Sequence, residues 1–132
     1  VYDTNIAVEN ANWNKNELVK FEAQILQSKV PHNVYINVRN ANSYSFSNLY
    51  LFVTIISPNG NSVRDTFECR LADDRGKWFG SGIGDLYSYQ VPYKQNIFFP
   101  DTGIYTFTYE QAMRVDDLSG ITDIGLRVET VN

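Results

Sequence analysis

The sequence is short of the residue types on which much protein chemistry depends. It holds one cysteine, one histidine and one methionine in 132 residues. Cys69 alone can neither close an internal disulfide nor build a thiolate cluster, so the fold has to stand on its apolar core, and Cys69 itself is expected to be buried and inert. His32 alone rules out a histidine-rich zinc site and leaves one place around which a Ser-His-Asp or Cys-His arrangement would have to form. It sits beside Pro31 in what reads as a loop before a strand, and its expected role is that of an ordinary exposed loop residue.

Basic charge is also scarce. Lys and Arg total 11 against 15 Asp and Glu, a formal net charge of −4. No run of Lys or Arg interrupts this balance, which disfavours nucleic acid and an anionic membrane surface as partners, since both need a basic stripe. Long apolar runs are missing too. A membrane helix needs roughly 18 to 20 such residues, whereas the longest candidate, Asn48 to Ser57, has the length of a strand. The chain opens at Val1 without a charged or apolar leader, which reads as a mature protein or a piece cut after a targeting segment.

What is present is alternation. Hydrophobic residues make up 43% and charged residues 20%, enough for one core, and the length predicts a single domain over residues 1–132. Val19, Phe21, Ala23 and Ile25 alternate with Lys20, Glu22 and Gln24, the pattern of a half-buried strand. Val34, Ile36 and Val38 face in while Tyr35, Asn37 and Arg39 face out. Leu49 to Ile56 is apolar on both faces, which predicts a central strand, or one whose Tyr50, Phe52 and Ile56 face lies under a loop or partner. Pro58-Asn-Gly60 predicts a tight hairpin with both Asn59 and Gly60 at positive φ. The return strand runs from Val63 to Leu71 with Phe67, Cys69 and Leu71 inward, and Asp65, which breaks the phase, marks its exposed end.

Asp73-Asp-Arg-Gly76 and Asp101-Thr-Gly103 read as turns, and Gly80, Gly82 and Gly84 mark a segment that packs closely or bends sharply. Leu86 to Val91 and Asn96 to Phe99 read as two strands separated near Pro92. Ile104 to Glu110 carries Tyr105, Phe107 and Tyr109 on one face, Glu110 to Arg114 is the one candidate helical turn, and Ile121 to Glu129 closes the chain. The first dozen residues look weakly tied down, although Tyr2, Ile6 and Val8 share a phase and predict an edge strand. About eight antiparallel strands with turn residues between them predict an all-β two-sheet sandwich, jelly-roll or immunoglobulin-like.

No catalytic constellation, metal site or cofactor site emerges. The acidic pairs Asp73/Asp74 and Asp116/Asp117 have the residue type for glycosidase-like acid/base work or for calcium, but adjacent acids on turns are the usual solvated punctuation of β proteins. Aromatics are the enriched class, with nine Tyr, eight Phe and two Trp. Tyr105, Phe107 and Tyr109 at period two read as a core ladder. Trp78, between Lys77 and Phe79 on the glycine-rich segment, reads either as a plug over the core or as an exposed anchor. Lys77, Trp78, Phe79 and the outward Tyr35 form the candidate binding surface.

Six strings occur in order: Tyr44-Ser-Phe-Ser-Asn-Leu-Tyr-Leu51, Ser57-Pro-Asn-Gly60, Ala72-Asp-Asp-Arg-Gly-Lys-Trp-Phe-Gly-Ser-Gly82, Phe99-Pro-Asp-Thr-Gly-Ile-Tyr105, Glu110-Gln-Ala-Met-Arg114 and Leu118-Ser-Gly-Ile-Thr-Asp-Ile-Gly-Leu-Arg127. Together they resemble the gliding motility-associated lipoprotein family GldH, from about Val1 to Glu129. The resemblance implies a non-enzymatic cell-envelope lipoprotein, anchored through a lipidated cysteine at its mature start, with the periplasmic side as the expected location. That cysteine is absent from this sequence, and Cys69, within a strand, is not it. The resemblance further implies partners among the other envelope proteins of the motility and linked secretion machinery, for which the domain acts as a scaffold or stability factor. The alternative is a carbohydrate-binding module, suggested by the Tyr- and Trp-rich sandwich pattern and by the closing Leu118 to Leu126 string.

Overall fold

The computed structural model describes residues 2–131. Its elements are β1 (Tyr2–Ala7), a 3-10 turn (Glu9–Ala11), β2 (Asn12–Asn14), β3 (Val19–Ile25), β4 (His32–Ala41), β5 (Asn48–Ile56), β6 (Ser62–Arg70), β7 (Ser81–Ile83), β8 (Leu86–Ile97), β9 (Gly103–Gln111), β10 (Asp117–Ser119) and β11 (Ile121–Thr130). The all-β expectation holds, with eleven strands rather than eight. All pairings are antiparallel. One sheet has the order β1-β11-β4-β8-β7, the second β3-β9-β5-β6, and a short ribbon pairs β10 with β2. With β2, β7 and β10 set aside, eight long strands remain in two four-stranded sheets. The chain crosses from one sheet to the other between β1 and β3, β3 and β4, β4 and β5, β6 and β8, β8 and β9, and β9 and β11. That is jelly-roll connectivity, which decides between the two sandwich forms.

Period-two alternation builds the core. From the first sheet Val34, Ile36, Val38, Val91, Ile124, Leu126 and Val128 turn inward, and from the second Phe21, Ala23, Ile25, Leu49, Leu51, Val53, Tyr105, Phe107 and Tyr109 meet them in one cluster. Phe21 and Tyr109 sit 5.2 Å apart in tilted contact. The Tyr109 hydroxyl donates across the gap to the Gly125 carbonyl at 3.2 Å, tying the second sheet to the first. Among the described residues no helix is long and apolar enough to cross a membrane.

Several local expectations give way to tertiary context. β8 runs unbroken through Pro92 because its outer neighbour β7 pairs only with Leu86 to Ser88. Beyond that point β8 is an edge, where a missing N–H costs no ladder bond. The predicted two-residue hairpin is a five-residue loop, Ser57 to Asn61, between the paired Ile56 and Ser62. Only Gly60 takes positive φ, at 91°, while the Asn59 side chain accepts the Asn61 N–H at 3.0 Å. Asp65 lies inside β6 rather than at its end. It accepts the Tyr93 hydroxyl at 2.9 Å and the Lys94 ammonium at 3.4 Å, a polar clasp between the sheets.

The helical turn expected over Glu110 to Arg114 does not form. β9 continues to Gln111, whose buried amide accepts the Met113 N–H at 2.9 Å and donates to the Val115 carbonyl at 2.9 Å, so the side chain supplies the bonds a helix would have supplied. Residues 2–7 are held rather than loose: β1 pairs along its whole length with β11 at the margin of the first sheet, the edge strand expected over Val1 to Val8. Val1 lies outside the described residues. Trp13, on β2, is only 1% exposed, with its indole donating to the Glu17 carbonyl at 2.8 Å. Of the outer face of β5, Phe52 is covered by a side chain, the Arg64 guanidinium lying 4.4 Å from its ring centroid, while Tyr50 and Ile56 stay exposed.

His32 is corrected outright. It is the first residue of β4, buried, with its ring edge-on to Phe99 at 5.0 Å. Its Nδ1 lies 3.0 Å from the Val30 carbonyl, which can only accept, so Nδ1 carries the proton. Strand phase explains the error: counting back by two from Val34 places position 32 on the inward face.

Two outcomes follow. Cys69 is fully buried, and burial holds its thiol well above the ordinary range. Native protein should therefore react with a thiol reagent only slowly, with full labelling after denaturant is added, a contrast that time-resolved thiol titration measures. Trp13→Ala should cost about 3–5 kcal/mol, which scanning calorimetry should register as a drop in Tm of roughly 10 °C or more.

Candidate functional site

The segment between β6 and β7 was the sequence's strongest candidate, and its shape follows from local bonding. Asp73 Oδ1 accepts the N–H groups of Arg75 and Lys77, each at 2.9 Å, closing the turn around Gly76, whose φ of 82° suits glycine. Trp78 then bridges to Ala72, and the Phe79 N–H donates to the Leu71 carbonyl at 2.9 Å. Gly80 passes so close to β8 that a Cβ there would lie 2.6 Å from the Ser88 carbonyl oxygen. The glycine-rich spacing is thus a close-packing requirement, as its composition implied.

This path lays Trp78 along the edge of the core. The indole is half-buried, flanked by Tyr44 at 6.5 Å and Tyr87 at 5.9 Å, and its N–H donates to Asn42 Oδ1 at 3.0 Å. Phe46 extends the row beyond Tyr44 at 5.7 Å, and Phe79 rests on Tyr89 at 5.8 Å. Further along the same side Phe67 meets Tyr93 at 4.9 Å. Aromatic rings therefore line the side of the sandwich where β6 approaches β8. Of the large side chains here Phe79 is 47% exposed, and Phe46 is exposed as well. Ile83 and Leu86, also exposed, pair on the outer face of the sheet, in phase with Ser88. Trp78 has the position of a plug; the exposed apolar surface is carried by its neighbours. Lys77 is exposed, and its backbone closes the Asp73 turn.

Tyr35 is not part of this cluster. It pairs with Pro92 of β8, five residues from Tyr87, and faces the opposite side of the first sheet, about 17 Å along the strand. There its hydroxyl donates to Glu129 at 3.2 Å, beside Arg127, which pairs with Asp3 at 3.0 Å and Glu129 at 3.2 Å. The hydrogen bond from Asn33, with the help of Arg127 and Tyr35, lowers the Glu129 carboxyl below its ordinary value. Tyr44, Tyr87 and Phe46 were not singled out from the sequence. Their aromatic character was legible, but their convergence on Trp78 brings together segments far apart in the chain.

The acidic pairs are separated by their own local bonds. Asp116 pairs with Lys15 at 2.9 Å while Asp117 accepts from Asn14, and Asp73 caps its turn while Asp74 lies 3.7 Å from Arg70. Among the described residues no group of three or more His, Cys, Asp or Glu gathers in a metal-binding arrangement.

Three tyrosines have their phenols shifted by burial. Burial raises the phenols of Tyr44, Tyr93 and Tyr109 above the ordinary value of 10.0, and for Tyr93 the Asp65 carboxylate adds to it. Because the unfolded chain loses these protons first, the stability they carry is intact below about pH 10 and is lost as pH rises beyond it. Urea midpoints measured between pH 8 and pH 11.5 should fall only above about pH 10, and Tyr93→Phe should reduce the fall.

Comparison with known proteins places the chain. A family model described as GldH lipoprotein matches residues 1–128. The chain is 37% identical to a gliding motility lipoprotein GldH homolog of Christiangramia forsetii, over 98% of this chain and 83% of that protein. It is 35% identical to the gliding motility lipoprotein GldH of Flavobacterium johnsoniae, over 98% of this chain and 84% of that protein. Among solved structures, an exo-beta-1,3-galactanase from Phanerochaete chrysosporium with galactose aligns at 14% identity and a TM-score of 0.41, covering 96% of this chain and 30% of the enzyme, a likeness too remote to carry any argument. Matched along nearly its whole length by the family model and by two relatives above 30% identity, this chain belongs to the GldH lipoprotein family.

Proposed function

We propose that this chain acts as one non-enzymatic domain of a lipid-anchored envelope protein, on the periplasmic side, and that it supports the gliding motility machinery and its associated secretion apparatus by binding other envelope proteins. Family membership supplies the setting. The observation that carries the binding claim is the aromatic side built on Trp78, with Phe79 and Phe46 left exposed around a half-buried indole. A rigid aromatic base with exposed aromatic neighbours is the anatomy of an interface centre. The candidate surface is accordingly Trp78, Phe79 and Lys77, extended to Phe46. Tyr35 lies on another face and does not contribute to it.

The test separates contact from folding. Phe79→Ser combined with Phe46→Ser removes exposed side chains and should move Tm by no more than about 5 °C. The same pair should weaken capture of cross-linked motility-complex proteins by roughly tenfold or more. Trp78→Ala should instead lower Tm clearly, because it opens the core edge. Undiminished capture by the Phe79/Phe46 variant would refute this surface.

A further inference from the structure

The opposite face of the five-stranded sheet carries a second feature, independent of the aromatic side. Strand register lines up three rows of outward residues across it. The middle row reads Asn5, Gly125, Asn37 and Gln90, one from each of β1, β11, β4 and β8. The row on one side reads Asp3, Arg127, Tyr35 and Pro92, and on the other Ala7, Asp123, Arg39 and Ser88. Gly125 is the gap in the middle row. A Cβ at this position would overlap Asn5 Oδ1 and lie 2.7 Å from the Thr4 carbonyl. Without it, Asn5 and Asn37 reach across the intervening strand, and Asn37 Nδ2 donates to Asn5 Oδ1 and to Asp3 Oδ1, each at 3.1 Å. Beside this pair lies a groove of about 290 Å³ lined by the polar Asp3, Asn5, Asn37, Arg39, Ser88, Gln90 and Asp123, with Val38 and Tyr89.

The groups in this groove are held but not exhausted. Arg39 donates to Ser88 Oγ at 3.0 Å and lies 3.6 Å from Asp123 Oδ2, which fixes the guanidinium in place. Asn37 Oδ1 is buried and has no hydrogen-bond partner among the described residues. Reversing the amide would not relieve it, because the nitrogen already faces two acceptors. A buried amide oxygen left unpaired costs free energy, which a small shift of the side chain toward a ligand hydroxyl would recover. Gln90 stands directly across from Asn37, exposed.

The charges decide the ligand class. Arg39 and Arg127 offset two of the three carboxylates Asp123, Asp3 and Glu129; the remaining negative charge disfavours an anion such as phosphate, and among the described residues no group of three or more His, Cys, Asp or Glu gathers to hold a metal cation. What the groove offers is alternating amide, hydroxyl, guanidinium and carboxylate groups a few ångströms apart. A ligand that both donates and accepts at closely spaced positions, without net charge, satisfies such a set, and vicinal hydroxyls do so. Tyr35, two residues along β4 on the same face, stands at the end of the groove. We propose that this groove binds a neutral saccharide chain through its hydroxyl groups, with Asn37 and Gln90 as the central contacts and Gly125 as the residue whose missing side chain lets Asn5 and Asn37 meet at its margin.

The test is an amide-resolved NMR titration of the ¹⁵N-labelled chain with neutral oligosaccharides (cello-, xylo-, manno-, galacto- and β-1,3-gluco-oligomers), with tri-galacturonate as the anionic control. At least one neutral oligomer should shift the side-chain amides of Asn5, Asn37 and Gln90, with tri-galacturonate weaker. Asn37→Ala and Gln90→Ala should each weaken that binding about fivefold to tenfold, as loss of a neutral hydrogen bond implies, and unchanged melting would separate contact from misfolding. Gln90→Ala, at an exposed position, keeps the test valid should Asn37→Ala fold poorly. The proposal is overturned if no neutral oligomer moves these amides at millimolar concentration, if shifts map instead to Trp78 and Phe79, if tri-galacturonate binds best, or if Gln90→Ala binds as well as the parent. Because the two faces are separate, failure here leaves the protein-binding surface standing, and the reverse holds too.

Discussion

Everything in this molecule depends on two sheets having to bury alternate side chains against each other. Once Phe21, Phe107 and Tyr109 of the second sheet are committed inward against Ile36, Ile124, Leu126 and Val128 of the first, every other residue of those strands is committed outward. A one-residue slip would expose the whole inner row, so register is held tightly. The Tyr109 bond to Gly125 adds a polar check on the same alignment. Both candidate surfaces inherit their geometry from it: the outer rows of the first sheet directly, and the aromatic side through the position at which β8 presents Tyr87, Tyr89 and Tyr93.

Gly125 illustrates how one position serves both faces. Its carbonyl receives the Tyr109 hydroxyl from the core side, while its missing side chain leaves room for Asn5 and Asn37 to meet on the outer side. A strand interior ordinarily loses stability with glycine, for want of a side chain to pack. Here the close approach of Asn5 accounts for it. The aromatic side uses glycine for the same reason, since Gly80 and Gly82 let β7 lie against β8 without a Cβ striking Ser88 or the Tyr87 ring.

Polar side chains within the core margins do structural work that strand patterns alone do not display. Gln111 orders the turn after β9, Asp65 clasps Tyr93 and Lys94 between the sheets, and His32 packs its ring on Phe99 while tethered to Val30. Each occupies an inward position and satisfies its hydrogen-bonding capacity locally, the condition under which a polar group is tolerated there. The single histidine is therefore spent on packing, and neither acidic pair converges on it.

By itself the sequence determined the all-β class, the inward rows of β3, β4, β9 and β11, the burial of Cys69 and the turns at Asp73 and Asp101, because each of these rests on side-chain period or on turn chemistry within a few residues. The ordered strings also carried the family. Tertiary structure alone decided the jelly-roll order, the continuity of β8 through Pro92, the partner strand of β1, and the separation of Tyr35 from Trp78, because these depend on which strands become neighbours. The same holds for the sites. That Trp78 is aromatic and glycine-flanked is legible locally, but its contact with Tyr44 and Tyr87 needs strands brought together from distant parts of the chain. The row of Asn5, Gly125, Asn37 and Gln90 spans four strands and more than a hundred residues of sequence, and no local pattern marks residues that only register places side by side.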